Sequence, residues 1–263
     1  MSGWRLYADA GNTALKWAVR SEGRWAAEGR IEVGALPTAG RELAGVLALA
    51  GFDAAECDGA ALVSSRPGQS SEAEQVLAAA TGQEVRLLGR DLRADVAVGY
   101  HEPSELGQDR LALAEGALAL AGAPVIVVAM GTCITAQALD ARGILAGGAI
   151  AAGLEAQAVG IAAAVPHLRA PVLAALDLLR AGEPLPRIGR STVENLALGL
   201  GGSVLGTVEY LTAAMREGIG EAPVIVTGGD AALVERFGGR RDHVEPRLVL
   251  EGLRVIDERT CGD

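Results

Sequence analysis

Trp4-Arg-Leu-Tyr-Ala-Asp-Ala-Gly-Asn-Thr-Ala-Leu-Lys-Trp-Ala-Val19 is the stretch from which the fold of this chain is read. Two mostly apolar, strand-like runs, Leu6–Ala8 and Ala14–Val19, flank a tight turn built from Asp9, Gly11, Asn12 and Thr13. A glycine lets backbone approach a ligand with no Cβ in the way. Asn12 and Thr13 add donors, and successive turn N–H groups form a nest for an anion. Asp9 is the odd member, because a carboxylate beside bound phosphate is repelled unless a cation lies between them. The turn therefore reads as one that holds phosphate through Mg²⁺. It reads equally as an ordinary hairpin, since Asp, Gly and Asn are common turn residues. Lys16, just beyond it, is placed either to meet a phosphate oxygen or to stand as a solvated strand lysine.

Working outward, the unit recurs. Pro124–Val128 is an apolar strand, Gly131-Thr132-Cys133 a turn and Ile134–Leu139 a second strand. Aligning the turns sets Gly11 on Gly131, Asn12 on Thr132 and Asp9 on Ala129. A duplicated strand–turn–strand unit predicts two similar halves facing each other. A third turn, Thr227-Gly228-Gly229-Asp230, follows the buried strand Pro223–Val226. Around these the pattern gives strands at Arg24–Val33, Gly59–Ser64, Glu84–Leu88 and Ile144–Ile150. It gives helices at Ala39–Ala50, Ser70–Thr81, Ser104–Ala121 with Ser104 as N-cap, Gly153–Ala164, Ala231–Phe237 and Leu248–Val255. Ser191-Thr192-Val193-Glu194 has the form of a capping box opening a long helix to about Met215. Asp91–Pro103 and Pro166–Pro186 read as irregular. Strands first and then alternating helix and strand predict an α/β chain with mixed sheets.

The 263 residues suit two domains of roughly 100–150 each, and the boundary is placed near Gly122, giving 1–121 and 122–263. Half the residues are hydrophobic and only 3% aromatic, so small side chains must pack the core. A net charge of −10 argues against general nucleic-acid or anionic-membrane binding. An anionic substrate such as ATP would then need local Lys, Arg or metal. Cys57, Cys133 and Cys261 have neither disulfide nor zinc spacing, which suits a reducing cytoplasm. The first residues lack the apolar region of a signal peptide, and no apolar run approaches the length of a membrane span.

Three Gly/Thr turns in this order resemble the actin/hexokinase/Hsp70 superfamily, two tandem ribonuclease-H-like domains facing a central cleft that grips ATP. The segment Tyr100-His-Glu-Pro-Ser-Glu-Leu-Gly-Gln-Asp-Arg110 is similar to the Tyr-x-x-Pro-x-x-Leu-Gly-x-Asp-Arg signature of type III pantothenate kinases. The resemblance continues through Gly131-Thr132, Gly147-Gly148, Thr192-x-Glu194 and Thr227-Gly228-Gly229. It implies phosphorylation of pantothenate by ATP with Mg²⁺, the first step of coenzyme A synthesis, in a cytoplasmic homodimer. It implies Asp109 as general base, with Tyr100, Gly107, Gln108 and Arg110 around pantothenate, and Thr192 reaching it across the dimer interface. It implies ATP contacts from Asp9, Ala10, Gly11, Asn12, Thr13, Ala14, Leu15 and Lys16, and from Gly131, Thr132, Gly228 and Gly229. The residues themselves allow this: a carboxylate both positions a hydroxyl and accepts its proton, and Arg110 matches a substrate carboxylate by a bidentate fork. An exposed ion pair at a helix start would use Asp109 and Arg110 as well, and helix capping alone accounts for Glu194.

The family's second turn is usually Asp-x-Gly-Thr, whose Asp is implicated in binding a monovalent cation, K⁺ or ammonium. Here that position is Ala129. A second departure is Ala152, where the family usually has proline. Losing a carboxylate removes a hard-cation ligand, which leaves a second reading open: a catalytically weak or inactive relative that binds ligand and regulates.

Overall fold

The opening motif folds as a hairpin in the computed structural model of the protein, which describes residues 3–65, 70–182 and 184–262. Trp4–Ala10 (β1) and Ala14–Ser21 (β2) pair antiparallel, with Asp9 opposite Lys16 and Ala10 opposite Leu15. Arg24–Glu32 (β3) extends the meander, and its side chains alternate between exposed and half-buried as an edge strand requires. Cys57–Ser64 (β4) then lies parallel to β1, and Val85–Leu87 (β5) parallel to β4. The sheet order is β3-β2-β1-β4-β5. Central β1 and β4 are apolar almost throughout, because both of their faces are covered.

On one face Leu36–Leu49 (α1) and Ser70–Thr81 (α2) pack Leu43, Leu47, Val76 and Leu77 against Leu6, Leu15 and Leu62. On the other face Tyr7, Ala61 and Val63 meet Leu250, Leu253 and Ile256 of the C-terminal helix Leu248–Cys261 (α8). Helix Gln108–Ala121 (α3) crosses α8 at close range. A Cβ on Gly252 would overlap the Ala112 carbonyl oxygen, and one on Gly116 would overlap that of Leu248, so glycine at both positions sets the approach.

The second unit repeats the plan. Val125–Met130 (β6), Cys133–Leu139 (β7) and Leu145–Ala152 (β8) form an antiparallel meander, with Val224–Thr227 (β9) parallel to β6 and His243–Val244 (β10) parallel to β9. The order is β10-β9-β6-β7-β8. Leu154–Ala164 (α4), Arg169–Arg180 (α5), Thr192–Ile219 (α6) and Ala232–Arg236 (α7) bury Ile126, Val128, Met130 and Ile134 beneath them. By length and hydropathy alone α6, at 28 residues, would cross a membrane. Its Ala197, Leu200, Val204 and Val208 instead pack into this core.

Three expectations need correction. The helix expected from Ser104 starts at Gln108, because the Gly107 carbonyl is the first helical acceptor, taking the N–H groups of Arg110 and Leu111; Pro103–Glu105 is a separate single turn. The stretch expected to be irregular over Pro166–Pro186, of which Glu183 lies outside the described residues, contains α5. Pro171 sits in its first turn, where a missing N–H costs nothing, and Val172, Ala175, Leu176 and Leu179 make its buried stripe. The last helix runs beyond Val255 to Cys261. The compact units are Met1–Ala97, His101–Leu120 and Leu248–Asp263 for the first, and Val98–Tyr100 and Ala121–Arg247 for the second. They differ from the expected 1–121 and 122–263 mainly because the apolar face of α8 is buried on the first sheet.

Candidate functional site

In the first unit the turn closes tightly, the Gly11 N–H donating to the Ala14 carbonyl at 3.1 Å, with Asn12 and Thr13 exposed at its tip. The Thr13 carbonyl accepts from Val33 N–H at 3.0 Å, which anchors the turn to the end of β3. Ala10, Gly11 and Leu15 line a small cleft with Val33, Leu36, Ser64 and Glu72. Asp9 is half-buried near the end of β1. Desolvation pushes its carboxyl up to about 6, the Lys16 ammonium pulls it down, and the Asp109 carboxylate pushes it up further. Asp9 therefore lies within electrostatic reach of both Lys16 and Asp109 in a single unit.

Asp109 occupies the first turn of α3 and folds back over Gly107, where any side chain would collide with its Oδ1. Burial raises its pKa, while the Arg110 backbone N–H and the Arg110 charge lower it. The result is a partly desolvated carboxylate beside the positive charge of Arg110. Gln108 lays its amide against Gly89, whose left-handed φ of 93° keeps the preceding segment clear of the helix start.

In the second unit the other two glycine turns are built as one backbone cradle. Gly228, at φ 97°, sits where a Cβ would overlap the carbonyl oxygen of Met130. Asp230 N–H donates to that same oxygen at 3.3 Å. Gly153 N–H donates to the Thr132 carbonyl at 3.0 Å, and a Cβ there would overlap Gly131 O. Gly131 and Gly229 face open space. Ala129 is half-buried on β6, opposite Thr135 on β7 and Thr227 on β9, a rung with no carboxylate. Tyr100 belongs to this unit through Val98–Tyr100, which joins the sheet edge where Val98 bridges Leu145 and Gly99 N–H donates to the Leu145 carbonyl at 2.9 Å. Thr192 opens α6 and is exposed. Half of the capping box forms: Ser191 Oγ accepts from Glu194 N–H at 3.2 Å, while Glu194 Oε2 accepts from the N–H of Arg190, one residue before the cap, at 2.6 Å. Glu194 is thus a capping residue.

Among the described residues no group of three or more His, Cys, Asp and Glu side chains gathers to hold a metal. A lone half-buried Asp9 beside an exposed glycine turn fits Mg²⁺, which takes one or two carboxylates and fills its shell with phosphate oxygens and water.

Sequence reading missed two carboxylates that support these residues. Glu115 of α3 accepts from Asp95 N–H at 2.5 Å, Val96 N–H at 3.0 Å and the Arg259 guanidinium at 3.1 Å, fixing the segment that leads to Tyr100. Asp257, 1% exposed, takes Arg5 at 3.0 Å, Arg86 at 2.6 Å and the Tyr7 hydroxyl at 3.2 Å. It ties α8 to β1 two residues before Asp9. The signal present was an acidic residue inside an apolar helical stripe.

Residues 5–214 match the family model described as type III pantothenate kinase. The chain is 33% identical over 258 residues to the type III pantothenate kinase of Thiobacillus denitrificans, covering 97% of each. It is 32% identical over 257 residues to that of Acidiphilium cryptum, covering 96% of this chain and 93% of the relative. In fold it is similar to the activator of 2-hydroxyisocaproyl-CoA dehydratase from Clostridium difficile, solved with ADPNP, at TM-score 0.58 and 12% identity over 98% of this chain and 96% of that one.

Proposed function

The chain belongs to the type III pantothenate kinase family and is a pantothenate kinase, and from that premise we propose how its own residues carry the reaction. ATP donates its γ-phosphoryl group to the primary hydroxyl of pantothenate. The Asp109 carboxylate accepts the hydroxyl proton as the oxygen attacks phosphorus, and ADP leaves. The first turn and Lys16 orient the phosphates, with Gly131, Thr132, Gly228 and Gly229 as the second set of backbone donors. Asp9 would hold Mg²⁺ through the phosphates, and the ion when bound neutralises phosphate charge. Arg110, Gln108, Gly107 and Tyr100 surround pantothenate, Arg110 pairing with its carboxylate.

The observation that carries this reading is the rung that sets Asp9 opposite Lys16 at the end of the first turn, with Asp109, the aspartate of the signature, in the same unit and near enough for its charge to raise the Asp9 pKa. Phosphoryl transfer needs such positioning plus charge stabilisation more than covalent chemistry. Burial raises the basicity of the Asp109 carboxylate, the direction a general base needs.

We also assign the protein to the cytoplasm as a homodimer. The outward face of α6 presents Gly199, Gly202, Gly206, Tyr210, Ala213 and Ala214 at helical spacing, and Tyr210 is 73% exposed. Such small residues let a second copy's helix approach closely, and Thr192 sits at the head of the same helix. A coupled assay of ADP release with pantothenate, ATP and Mg²⁺ tests the activity, and light scattering tests the dimer. No pantothenate-dependent ADP release would sink the first, and a monomeric mass the second.

A further inference from the structure

Lys16 is the sole lysine of the chain; every other member of its 23 Lys and Arg side chains is an arginine. The two are not interchangeable. An ammonium is a compact point charge with three rotatable donors, whereas a guanidinium is a broad planar fork. The single ammonium stands on the rung facing Asp9, at the end of the first turn, with its side chain exposed. Its charge is felt at the Asp9 carboxylate. The corresponding rung of the second unit pairs Ala129 with Thr135 and Thr227, all uncharged. That rung has no carboxylate, so a K⁺ or ammonium ion of the kind expected of the family would find only neutral oxygens there and no negative charge to balance it.

We propose that the Lys16 ammonium is a built-in monovalent cation: it gives the phosphates of ATP the single positive charge that a bound K⁺ or ammonium ion would otherwise supply, and the enzyme turns over without either. This rests on reading the first turn as a phosphate-binding turn. A triphosphate entering a chain of net charge −10, beside Asp9 and Asp109, needs such compensation. A lysine fixed on a strand provides it at any salt composition.

The test compares the natural protein with K16A, K16Q and K16R, at constant ionic strength set by tetramethylammonium chloride. Turnover with pantothenate, Mg²⁺ and ATP is measured before and after adding K⁺, ammonium or methylammonium. The natural protein is expected to respond less than about twofold. K16A and K16Q should lose about 10–100-fold in kcat/KM for ATP, as expected for a lost charged hydrogen bond. Ammonium or methylammonium should restore part of the K16A loss, and K16R should not regain the natural rate. A second readout needs no turnover. As the only lysine, Lys16 is the one side-chain amine open to an amine-directed acylating reagent, and Mg²⁺–ATP should protect it in peptide mass spectra. Strong K⁺ activation of the natural protein, an unimpaired K16A, or no protection by ATP would each overturn the proposal. A natural protein inactive on pantothenate in every salt would overturn the pantothenate reading; protection of Lys16 by Mg²⁺–ATP that is as strong in tetramethylammonium as in K⁺ would then still support the ammonium's role at the phosphates, and protection that needs K⁺ would overturn it.

Discussion

Asp9 is a carboxylate whose charged form the fold disfavours: its pKa is pushed up to about 6 by desolvation and by Asp109, against Lys16. A folded pKa above the ordinary value means ionisation subtracts stability as pH rises from about 4 to 6, and the full penalty persists above. Asp9→Asn should therefore be more stable than the natural protein at pH 7 without nucleotide, by on the order of 1 kcal/mol once partial exposure is allowed for, and no more stable than it at pH 4. The same variant should bind Mg²⁺–ATP poorly, and the natural protein's affinity for it should fall below pH 6 while that of the variant stays flat. Calorimetry across pH checks both; a variant less stable at pH 7 would contradict the burial account. For Asp109→Asn, which keeps the shape and removes the basicity, turnover should drop about 10²–10⁴-fold with pantothenate binding largely kept. Retention of more than a tenth of the rate would move the base elsewhere. Both aspartates were legible because they stand in motifs with a spacing. Asp257 and Glu115 were not: one acidic residue in an amphipathic helix reads as solvated, and the Arg5 partner of Asp257 lies 252 positions away.

At the scale of elements, periodicity gave the strands and most helices, since apolar alternation and the 3.6-residue stripe are local properties. Helix ends were less legible. Ser104 is a good N-cap by type, but the chain turns once at Pro103–Glu105 and begins α3 only where the Gly107 carbonyl takes over. Two prolines hid α5, although only position within the turn decides whether proline breaks a helix. The crossing of α3 and α8 was invisible, because the glycines that permit it sit on different helices. Gly252→Ala should lower stability by at least ~2 kcal/mol, since its Cβ would overlap a backbone oxygen rather than a movable side chain. It should also lower turnover at temperatures where the protein stays folded, because α3 carries Asp109 at its head. Denaturant melts and single-temperature kinetics would check this, and an unchanged midpoint would mean the helices slide apart freely.

At the scale of the molecule, the duplicated turns predicted two related α/β units, and both meanders have the same antiparallel order with two parallel strands added. The return of α8 to the first unit was beyond reach, because its apolar stripe fits either sheet equally well as a pattern. That return has a consequence for how the protein is made. The strands of the first sheet are synthesised before the second unit, and the helix that covers Tyr7, Ala61 and Val63 only after it. Throughout that interval a nascent chain carries an uncovered apolar face, the kind of surface chaperones bind. Chains truncated after Arg247 and held clear of the exit tunnel by a C-terminal linker should be cut by protease in the first unit and resist in the second, whereas chains extended through Cys261 on the same linker should resist in both. Equal resistance of the shorter chain would show that the first sheet holds without its helix. Translation that stops short of α8 therefore yields a product marked for clearance, not a stable half-enzyme able to sequester ATP.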